Sequence, residues 1–192
     1  MNKTPRVSIG LIVYNGENFL AEAIDALLAQ TYMDFELIIS DNCSTDGTEA
    51  ICRRYAGQDP RVRYLRAEKN NGATWNHNRV IELARGEFFK LAAHDDLCEP
   101  GFIEACVDAL DSNPAAIVGF TDAKYLRGDR RGSMRIHRHN LRTDADDPSV
   151  RFADMIEASL QGFQVFGCIR MDAIRQAALF GAWKGADRLF MD

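Results

Sequence analysis

The sequence predicts an α/β fold in which helices flank a doubly wound, mostly parallel sheet. Three observations support this prediction. Apolar runs of strand length alternate with segments of helical periodicity between residues 7 and 121. The runs are almost continuously apolar, as expected of strands that helices cover on both faces. The resulting order, β-α-β-α-β-α-β-α-β, favours parallel strands joined by right-handed crossovers.

The elements of the first half follow from this periodicity. Between the first two strands, apolar residues recur at helical spacing through Leu20, Ile24 and Leu27. Thr48 is expected to cap the second helix, and Gly86 to end the third. We predict strands over residues 7–13, 35–40 and 62–66, and helices over residues 17–30, 48–55 and 74–85.

The second half begins regularly and then loosens. We predict strands over residues 87–93 and 116–121 with a helix over 100–110 between them, and beyond Tyr125 the periodicity weakens. Further on we predict helices over 150–160 and 171–179 and a strand over 163–169. We expect a single domain over 1–192 with a regular half, 1–98, and a less regular half, 99–192. The last residues carry no terminating signal, so we expect the chain to be a fragment of a longer protein.

The bulk composition excludes several classes of protein. The chain has 23 Lys and Arg against 28 Asp and Glu, a net charge of -5. A general nucleic-acid-binding protein would normally be basic, so no nucleic-acid partner is expected. The five cysteines are odd in number and include no C-x-x-C pair, which favours free thiols in a reducing compartment. The sequence shows no secretory signal and no apolar stretch of membrane-spanning length, so we expect a cytoplasmic location.

Three groups of polar residues follow predicted strands at the points where those strands end. Tyr14-Asn15-Gly16 follows the first strand, residues 41–44 follow the second, and His94-Asp95-Asp96 follows the fourth. Open α/β sheets bind ligands outside the carboxyl ends of their strands, so these groups are expected to share one rim. Neighbouring carboxylates repel each other unless a cation or strong donors compensate. A divalent metal holding a diphosphate would do so, and oxygen ligands suit Mg²⁺ or Mn²⁺.

Other ligand sites built on such a sheet do not match the sequence. A dinucleotide site needs G-x-G-x-x-G after the first strand, but residues 14–19 read Y-N-G-E-N-F. The phosphate-binding G-x-x-x-x-G-K-[ST] motif and the G-x-S-x-G motif of serine hydrolases are absent. A nucleotidyltransferase normally has a glycine-rich loop with a basic residue after its first strand, and residues 15–18 do not supply one. The sequence therefore favours a nucleotide site that depends on a metal.

Four segments carry a resemblance to a known family when they are taken together. The first runs from Val7-Ser8-Ile9 to Tyr14-Asn15 and then through Leu27-Leu28-Ala29-Gln30-Thr31, and the second from Phe35 to Thr48. The third covers residues 71–79 and 84–87, and the fourth is His94-Asp95-Asp96, at the place of a D-x-D-type metal motif. These segments resemble family 2 glycosyltransferases over roughly residues 5 to 125.

The resemblance implies a GT-A fold and transfer of a sugar from a nucleoside diphosphate. Tyr14 would line the base pocket, and Asp41 and Asn42 would contact the nucleoside. Asp95 and Asp96 would hold ribose, metal and diphosphate, with Asp96 as the ligand of Mg²⁺ or Mn²⁺. The residues that it assigns to donor binding are Val13, Tyr14, Asn15, Glu17, Asp41, Asn42, Arg79 and Asp95.

The resemblance also implies an inverting mechanism with one general base. Asp187, in K-G-A-D-R, resembles the base that deprotonates the acceptor hydroxyl. The metal would stabilise the leaving nucleoside diphosphate, so no second carboxylic acid is needed to protonate it. The expected donor is a UDP-, dTDP- or GDP-sugar, and the expected acceptor is a surface glycan or a lipid-linked sugar. Such an acceptor would bring the protein to the inner face of the membrane as a peripheral component.

The sequence departs from the family pattern at two positions. Many relatives carry a second acidic residue where this chain has Asn42. An amide offers a donor as well as an acceptor, so the identity of the nucleobase in the donor stays open. His94 stands where other residue types are common, and we expect it to pack beside the site rather than to bind the metal.

Plainer interpretations stay open for several residues. Asp41, Asp95 and Asp96 could cap turns or a helix, and Asp187 could be an ordinary surface residue. Trp75 is expected to be a core aromatic. Arg79 could pair with a rim carboxylate or contact the diphosphate.

The basic run and the function have alternatives too. The residues Arg127, Arg130, Arg131, Arg135, Arg138 and Arg142, with His137 and His139, could form a solvated loop. They could also form a lid over the diphosphate, or contact an anionic acceptor or a membrane surface. The alternative to an enzyme is a non-catalytic nucleotide-sugar-binding domain.

Overall fold

The computed structural model describes residues 4–125, 135–137, 145–150, 163–177, 179 and 181. The strands are β1 (Val7–Val13), β2 (Phe35–Asp41), β3 (Val62–Arg66), β4 (Phe88–Ala93), β5 (Val118–Gly119), β6 (Ala123–Tyr125), β7 (Arg135–His137) and β8 (Cys168–Arg170). The α-helices are α1 (Leu20–Leu28), α2 (Thr48–Gln58), α3 (Ala73–Leu83), α4 (Phe102–Ser112) and α5 (Met171–Gln176), and a 3₁₀ helix spans Phe163–Phe166.

The main sheet has six strands in the order β3-β2-β1-β4-β8-β5. The pairs β3–β2, β2–β1 and β1–β4 are parallel, as the alternating pattern predicts. β8 is antiparallel to both of its neighbours, β4 and β5. The predicted α/β fold with a mostly parallel sheet is therefore confirmed. β6 and β7 form a separate antiparallel pair.

The position of β5 differs from the sequence prediction. We predicted a strand over 116–121 that continues the parallel series, but β5 has two residues and no contact with β4 in the ladder. β8 occupies the place beside β4, with Lys90 opposite Cys168. The predicted strand over 163–169 is likewise replaced by the 3₁₀ helix followed by β8. Periodicity could not reveal either result, because both depend on a pairing between distant segments.

Helices cover both faces of the sheet and bury two groups of apolar side chains. On one face, Val7, Ile9 and Leu11 of β1 pack with residues from α1, α2 and α4. On the other face, Ile38 and Phe89 pack with residues from α3 and α5. Alternate residues of a strand point to opposite faces, so near-continuous apolar strands are what such a double core requires.

Two predicted helix signals have other roles in the structure. The N-cap of α2 is Gly47, and the Thr48 hydroxyl accepts a hydrogen bond from the Gly16 amide instead. α3 ends at Leu83, before Gly86, whose amide donates to the Ser8 hydroxyl at 2.8 Å. A Cβ at Gly86 would lie 2.7 Å from the Ser8 nitrogen. Gly86 therefore allows close approach to β1 rather than ending a helix.

Three further predictions concern a helix in the second half, membrane-spanning segments and the cysteines. The predicted helix over 150–160 lies outside the described residues, except for residue 150. Within the described residues, no helix is both long and apolar enough to traverse a bilayer. All five cysteines are free, as expected from their spacing.

Candidate active site

Three loops emerge side by side from the carboxyl ends of β1, β2 and β4. In the sheet, Val13 lies opposite Asp41, and Ile12 lies opposite Ala93. The residues that follow these positions therefore meet on one rim, as the sequence predicts. They are the segments 14–19, 42–47 and 94–101.

The loops after β1 and β2 are held together by hydrogen bonds in both directions. The Asn15 amide donates to the Ser44 hydroxyl at 2.9 Å, and the Asn15 side-chain oxygen accepts from the Thr45 amide at 2.8 Å. Asn15 has a φ of 53°, and Cys43 has a φ of 68°. Such left-handed conformations are uncommon outside glycine, so each needs support from its surroundings. The cross-bonds supply that support at Asn15.

Glu17 and Asp46 extend this connection. The Glu17 amide donates to Asp46 Oδ2 at 3.1 Å, and Glu17 Oε2 accepts from the Gly47 amide at 2.7 Å. Burial raises the pKa of Asp46, but hydrogen bonds from Thr48 and Glu17 outweigh it and hold the pKa below its usual value. The Glu17 carboxylate is thus engaged within the protein, between the two loops.

Asp41 is fully buried, and its carboxylate is bound by the protein itself. Oδ1 accepts from the Ser44 amide at 2.8 Å, and Oδ2 accepts from the Tyr64 hydroxyl at 2.8 Å. Arg66 adds a cation 3.5 Å from Oδ2. Burial, followed by the bond to Asp41, raises the pKa of Tyr64, so the phenol stays a neutral donor. Asp41 therefore stabilises the loop after β2 from a buried position.

Asn42 is also buried and fixes a third segment. Its amide nitrogen donates to Asn70 Oδ1 at 2.9 Å and to the Gly72 carbonyl at 3.1 Å. Its amide oxygen accepts from the Asn71 amide at 3.0 Å. Both halves of the amide are used, which a carboxylate could not do because it lacks donors. The amide of Asn42 thus has a structural role in the turn over 70–72.

Aromatic side chains are accessible around the rim. Tyr14 is 45% exposed and Trp75 is 38% exposed. The prediction that Trp75 is a core aromatic is therefore wrong. Its ring lies at the start of α3 and stacks against the Arg79 guanidinium, 4.9 Å from the ring centroid. Arg79 also donates to the Ser40 hydroxyl at 3.4 Å. Arg79 is half-buried beside the rim, and it forms no ion pair with a carboxylate of the described residues.

Asp95 and Asp96 have a different environment from Asp41. Both are exposed, and no hydrogen bond or ion pair to either carboxylate occurs within the described parts of the chain. Crowding by surrounding protein atoms, and then the charge of Asp95, raise the pKa of Asp96 despite opposing effects of Lys90 and His94. Two neighbouring carboxylates without a protein cation attached leave oxygen lone pairs available to a ligand.

His94 locates this pair beside the β1 loop. A Cβ at Gly16 would lie 2.6 Å from His94 Cδ2, so the imidazole packs directly against the glycine. The expectation that His94 packs next to the site agrees with this contact. It also means that the segment carrying Asp95 and Asp96 begins in contact with the segment carrying Tyr14.

The donor set fits a metal that is shared with a substrate. Among the described residues, no group of three His, Cys, Asp or Glu side chains converges as a complete metal cage. Mg²⁺ and Mn²⁺ at phosphate sites commonly take one or two carboxylates, with phosphate oxygens and water completing the shell. Asp95 and Asp96 suit such a partial shell, because their oxygens are accessible and carry no protein partner.

Other predicted functional residues fall outside the described part of the chain. Asp187 lies within 182–192, and most of the basic run lies within 126–144. Sequence reasoning placed Ser44 in the rim group over 41–44, but it overlooked Asp46 and Thr48 as residues that build the rim. The signal was present in S-T-D-G-T over 44–48, since such residues favour turns through side-chain to backbone hydrogen bonds.

The chain is similar in sequence to known glycosyltransferases. Residues 8–175 match the sequence model of "Glycosyl transferase family 2". Hyaluronan synthase of Pasteurella multocida is 33% identical over 140 residues, covering 73% of this chain and 14% of that protein. Across eight curated relatives, the matched region covers between 14% and 41% of the relative's length.

Two solved structures show the same fold at low sequence identity. The mannosyltransferase PcManGT from Pyrobaculum calidifontis, in complex with GDP-Man and Mn²⁺, has a TM-score of 0.67 and 18% identity, covering 98% of this chain and 51% of that one. S. aureus TarS 1-349, in complex with UDP-GlcNAc, has a TM-score of 0.68 and 18% identity, covering 96% and 52%. The fold is therefore of the GT-A type. Because the family match extends over most of its length, the chain belongs to glycosyl transferase family 2.

Proposed function

We propose that this chain is the donor-binding part of an inverting, metal-dependent glycosyltransferase that uses a nucleotide sugar. The observation that carries the proposal is the exposed Asp95-Asp96 pair, which forms no ion pair with a described Lys, Arg or His side chain and adjoins the segment that carries Tyr14. A divalent metal would neutralise the pair and stabilise the charge of the leaving diphosphate. Tyr14 is available to contact the base, and Asp96 to bind the metal.

The remaining rim residues divide into two roles under this proposal. Val13, Asn15, Glu17, Asp41 and Asn42 shape and rigidify the donor pocket, and their backbone groups border it. Arg79 is close enough to the rim to approach the diphosphate, with its guanidinium held by Trp75. Asp187 is proposed as the base that removes the acceptor proton. It belongs to the second half of the chain, 99–192, which we propose to be the acceptor-binding half.

For the acceptor and the cellular location, we propose only a general class. The relationship to a hyaluronan synthase supports a role in polysaccharide biosynthesis with a glycan or lipid-linked acceptor. The complexes of PcManGT with GDP-Man and of TarS with UDP-GlcNAc support a nucleotide-sugar donor without choosing its base. We place the reaction in the cytoplasm, at the inner face of the membrane when the acceptor is lipid-linked.

The test is a calorimetric titration of UDP, GDP and dTDP into the protein, with and without Mn²⁺. We expect one nucleotide to bind, and to bind far more tightly with Mn²⁺. Asp96→Asn should remove the Mn²⁺ dependence because it removes the charge that binds the metal. Asp108→Asn, on the exposed face of α4, is the matched control and should behave as the wild type. A folded wild-type protein that binds none of the three nucleotides would contradict the proposal.

A further inference from the structure

The loop between β4 and α4, residues 94–101, carries both proposed metal-site carboxylates and is held from outside by Gln30. Gln30 is 2% exposed, and it uses both the oxygen and the nitrogen of its amide. Nε2 donates to the Glu99 carbonyl at 2.9 Å and to the Ala26 carbonyl at 3.2 Å. Oε1 accepts from the Ile103 amide at 3.0 Å. A buried amide that is satisfied in this way has one preferred orientation.

These bonds join the end of one helix to the start of another. Ala26 belongs to the last turn of α1, and Ile103 belongs to the first turn of α4. Helix ends leave carbonyl and amide groups without partners inside the helix, and α4 has no side-chain hydrogen bond at its own N-cap. Gln30 supplies partners to both ends, and so fixes where α4 begins relative to α1.

The neighbouring residue strengthens the same anchor. The Thr31 amide donates to the Pro100 carbonyl at 2.8 Å, and its hydroxyl donates to Glu104 Oε2 at 2.7 Å. At the opposite end of the loop, His94 packs against Gly16. The loop is therefore anchored at both ends, while the carboxylates of Asp95 and Asp96 between the anchors form no hydrogen bond with a described side chain or backbone group.

We propose that Gln30 is a positioning residue for the metal-binding carboxylates, an inference that rests on the proposed function. Metal ligands have to be held within about 0.5 Å of the productive geometry by the residues around them. Asp95 and Asp96 lack direct support of their own, so the anchors of the loop determine where their oxygens lie. Loss of the Gln30 bonds releases the α4 end of the loop and weakens metal binding, and it leaves the loops after β1 and β2 unchanged.

The experiment measures the Mn²⁺ concentration that half-saturates binding of the nucleotide selected by the wild type. Gln30→Leu removes all three bonds and should raise that concentration about tenfold, while nucleotide binding without Mn²⁺ stays unchanged. Gln30→Glu keeps an acceptor for Ile103 but loses both donors, and it should also raise the Mn²⁺ requirement. If Gln30→Leu does not fold, the Mn²⁺ requirement of Gln30→Glu provides the test.

Tyr55→Phe is the matched control for general destabilisation. The Tyr55 hydroxyl contacts the Ala21 carbonyl and Asp25, so its loss weakens the contact of α1 with α2 and leaves residues 94–101 untouched. It should lower the melting temperature without changing the Mn²⁺ requirement. Folded Gln30 variants that behave like Tyr55→Phe would overturn the inference. A wild type without Mn²⁺-dependent binding would instead overturn the proposed function, and this inference with it.

Discussion

Asp41 and Asp96 show how one residue type takes opposite roles on the same rim. Asp41 has no exposed surface, and its oxygens accept from Ser44 and Tyr64 with Arg66 nearby. Asp96 is exposed. Desolvation by the surrounding protein atoms, followed by the charge of Asp95, raises the pKa of Asp96. The sequence placed both residues at strand ends correctly. It could not separate them, because the separation depends on Tyr64 and Arg66, which belong to a different strand.

The raised pKa of Asp96 predicts a pH dependence of metal binding. The metal binds the ionised carboxylate, and a raised pKa means that protons compete at a higher pH than for an ordinary aspartate. Mn²⁺-dependent nucleotide binding should therefore weaken on acidification before ordinary aspartates protonate. Calorimetric titrations at a series of pH values below neutrality measure this, with Asp108→Asn as an unchanged control. A loss that begins only where an unperturbed aspartate protonates would show that the Asp96 environment is different from the one described.

At the scale of elements, the loops after β1 and β2 act as one unit. Five hydrogen bonds between them join a backbone amide of one segment to a side chain of the other, with the amides of Asn15, Gly16, Glu17, Thr45 and Gly47 as donors. The sequence predicted that both loops lie on one rim, but not which residues of one loop bind the other. That pairing follows from the parallel register of β1 and β2, which brings Val13 opposite Asp41.

Ser44→Ala tests this connection. It removes the acceptor of the Asn15 amide and so weakens support for the left-handed conformation next to Tyr14. We expect nucleotide affinity to fall about fivefold, the equivalent of one hydrogen bond of about 1 kcal/mol. Thr45→Val is the control, because it loses only a long hydroxyl contact of 3.4 Å and keeps the 2.8 Å backbone bond to Asn15. Equal affinities of the two variants, measured by calorimetry, would count against a role for the cross-bond.

At the scale of the whole molecule, the site draws on strands and loops from both halves of the main sheet. The rim lies at the ends of β1, β2 and β4. α1 begins directly after the loop that follows β1 and ends just before Gln30, which binds the loop over 94–101. Ligand binding should therefore stabilise the fold as a whole rather than one loop.

We expect the nucleotide and Mn²⁺ together to raise the melting temperature. At a nucleotide concentration of about 100 times its dissociation constant, the gain in unfolding free energy is about 2.7 kcal/mol. For a chain of this size, that corresponds to a shift of about 5–10 °C. Differential scanning calorimetry measures the shift, and Asp96→Asn should lose most of it. A full shift with the nucleotide alone would contradict a site that depends on the metal.

The sequence by itself determined the four parallel strands, the helices between them and the three strand ends that meet on the rim. These features depend on local periodicity and on turn residues, which act over a few neighbouring positions. Only the tertiary structure decided the insertion of β8 beside β4, the exposure of Trp75, and the internal use of Asp41 and Asn42. It also assigned Gln30 to the loop over 94–101. Each of these depends on contacts between residues far apart in the chain, and such contacts leave no periodic signal in a single sequence.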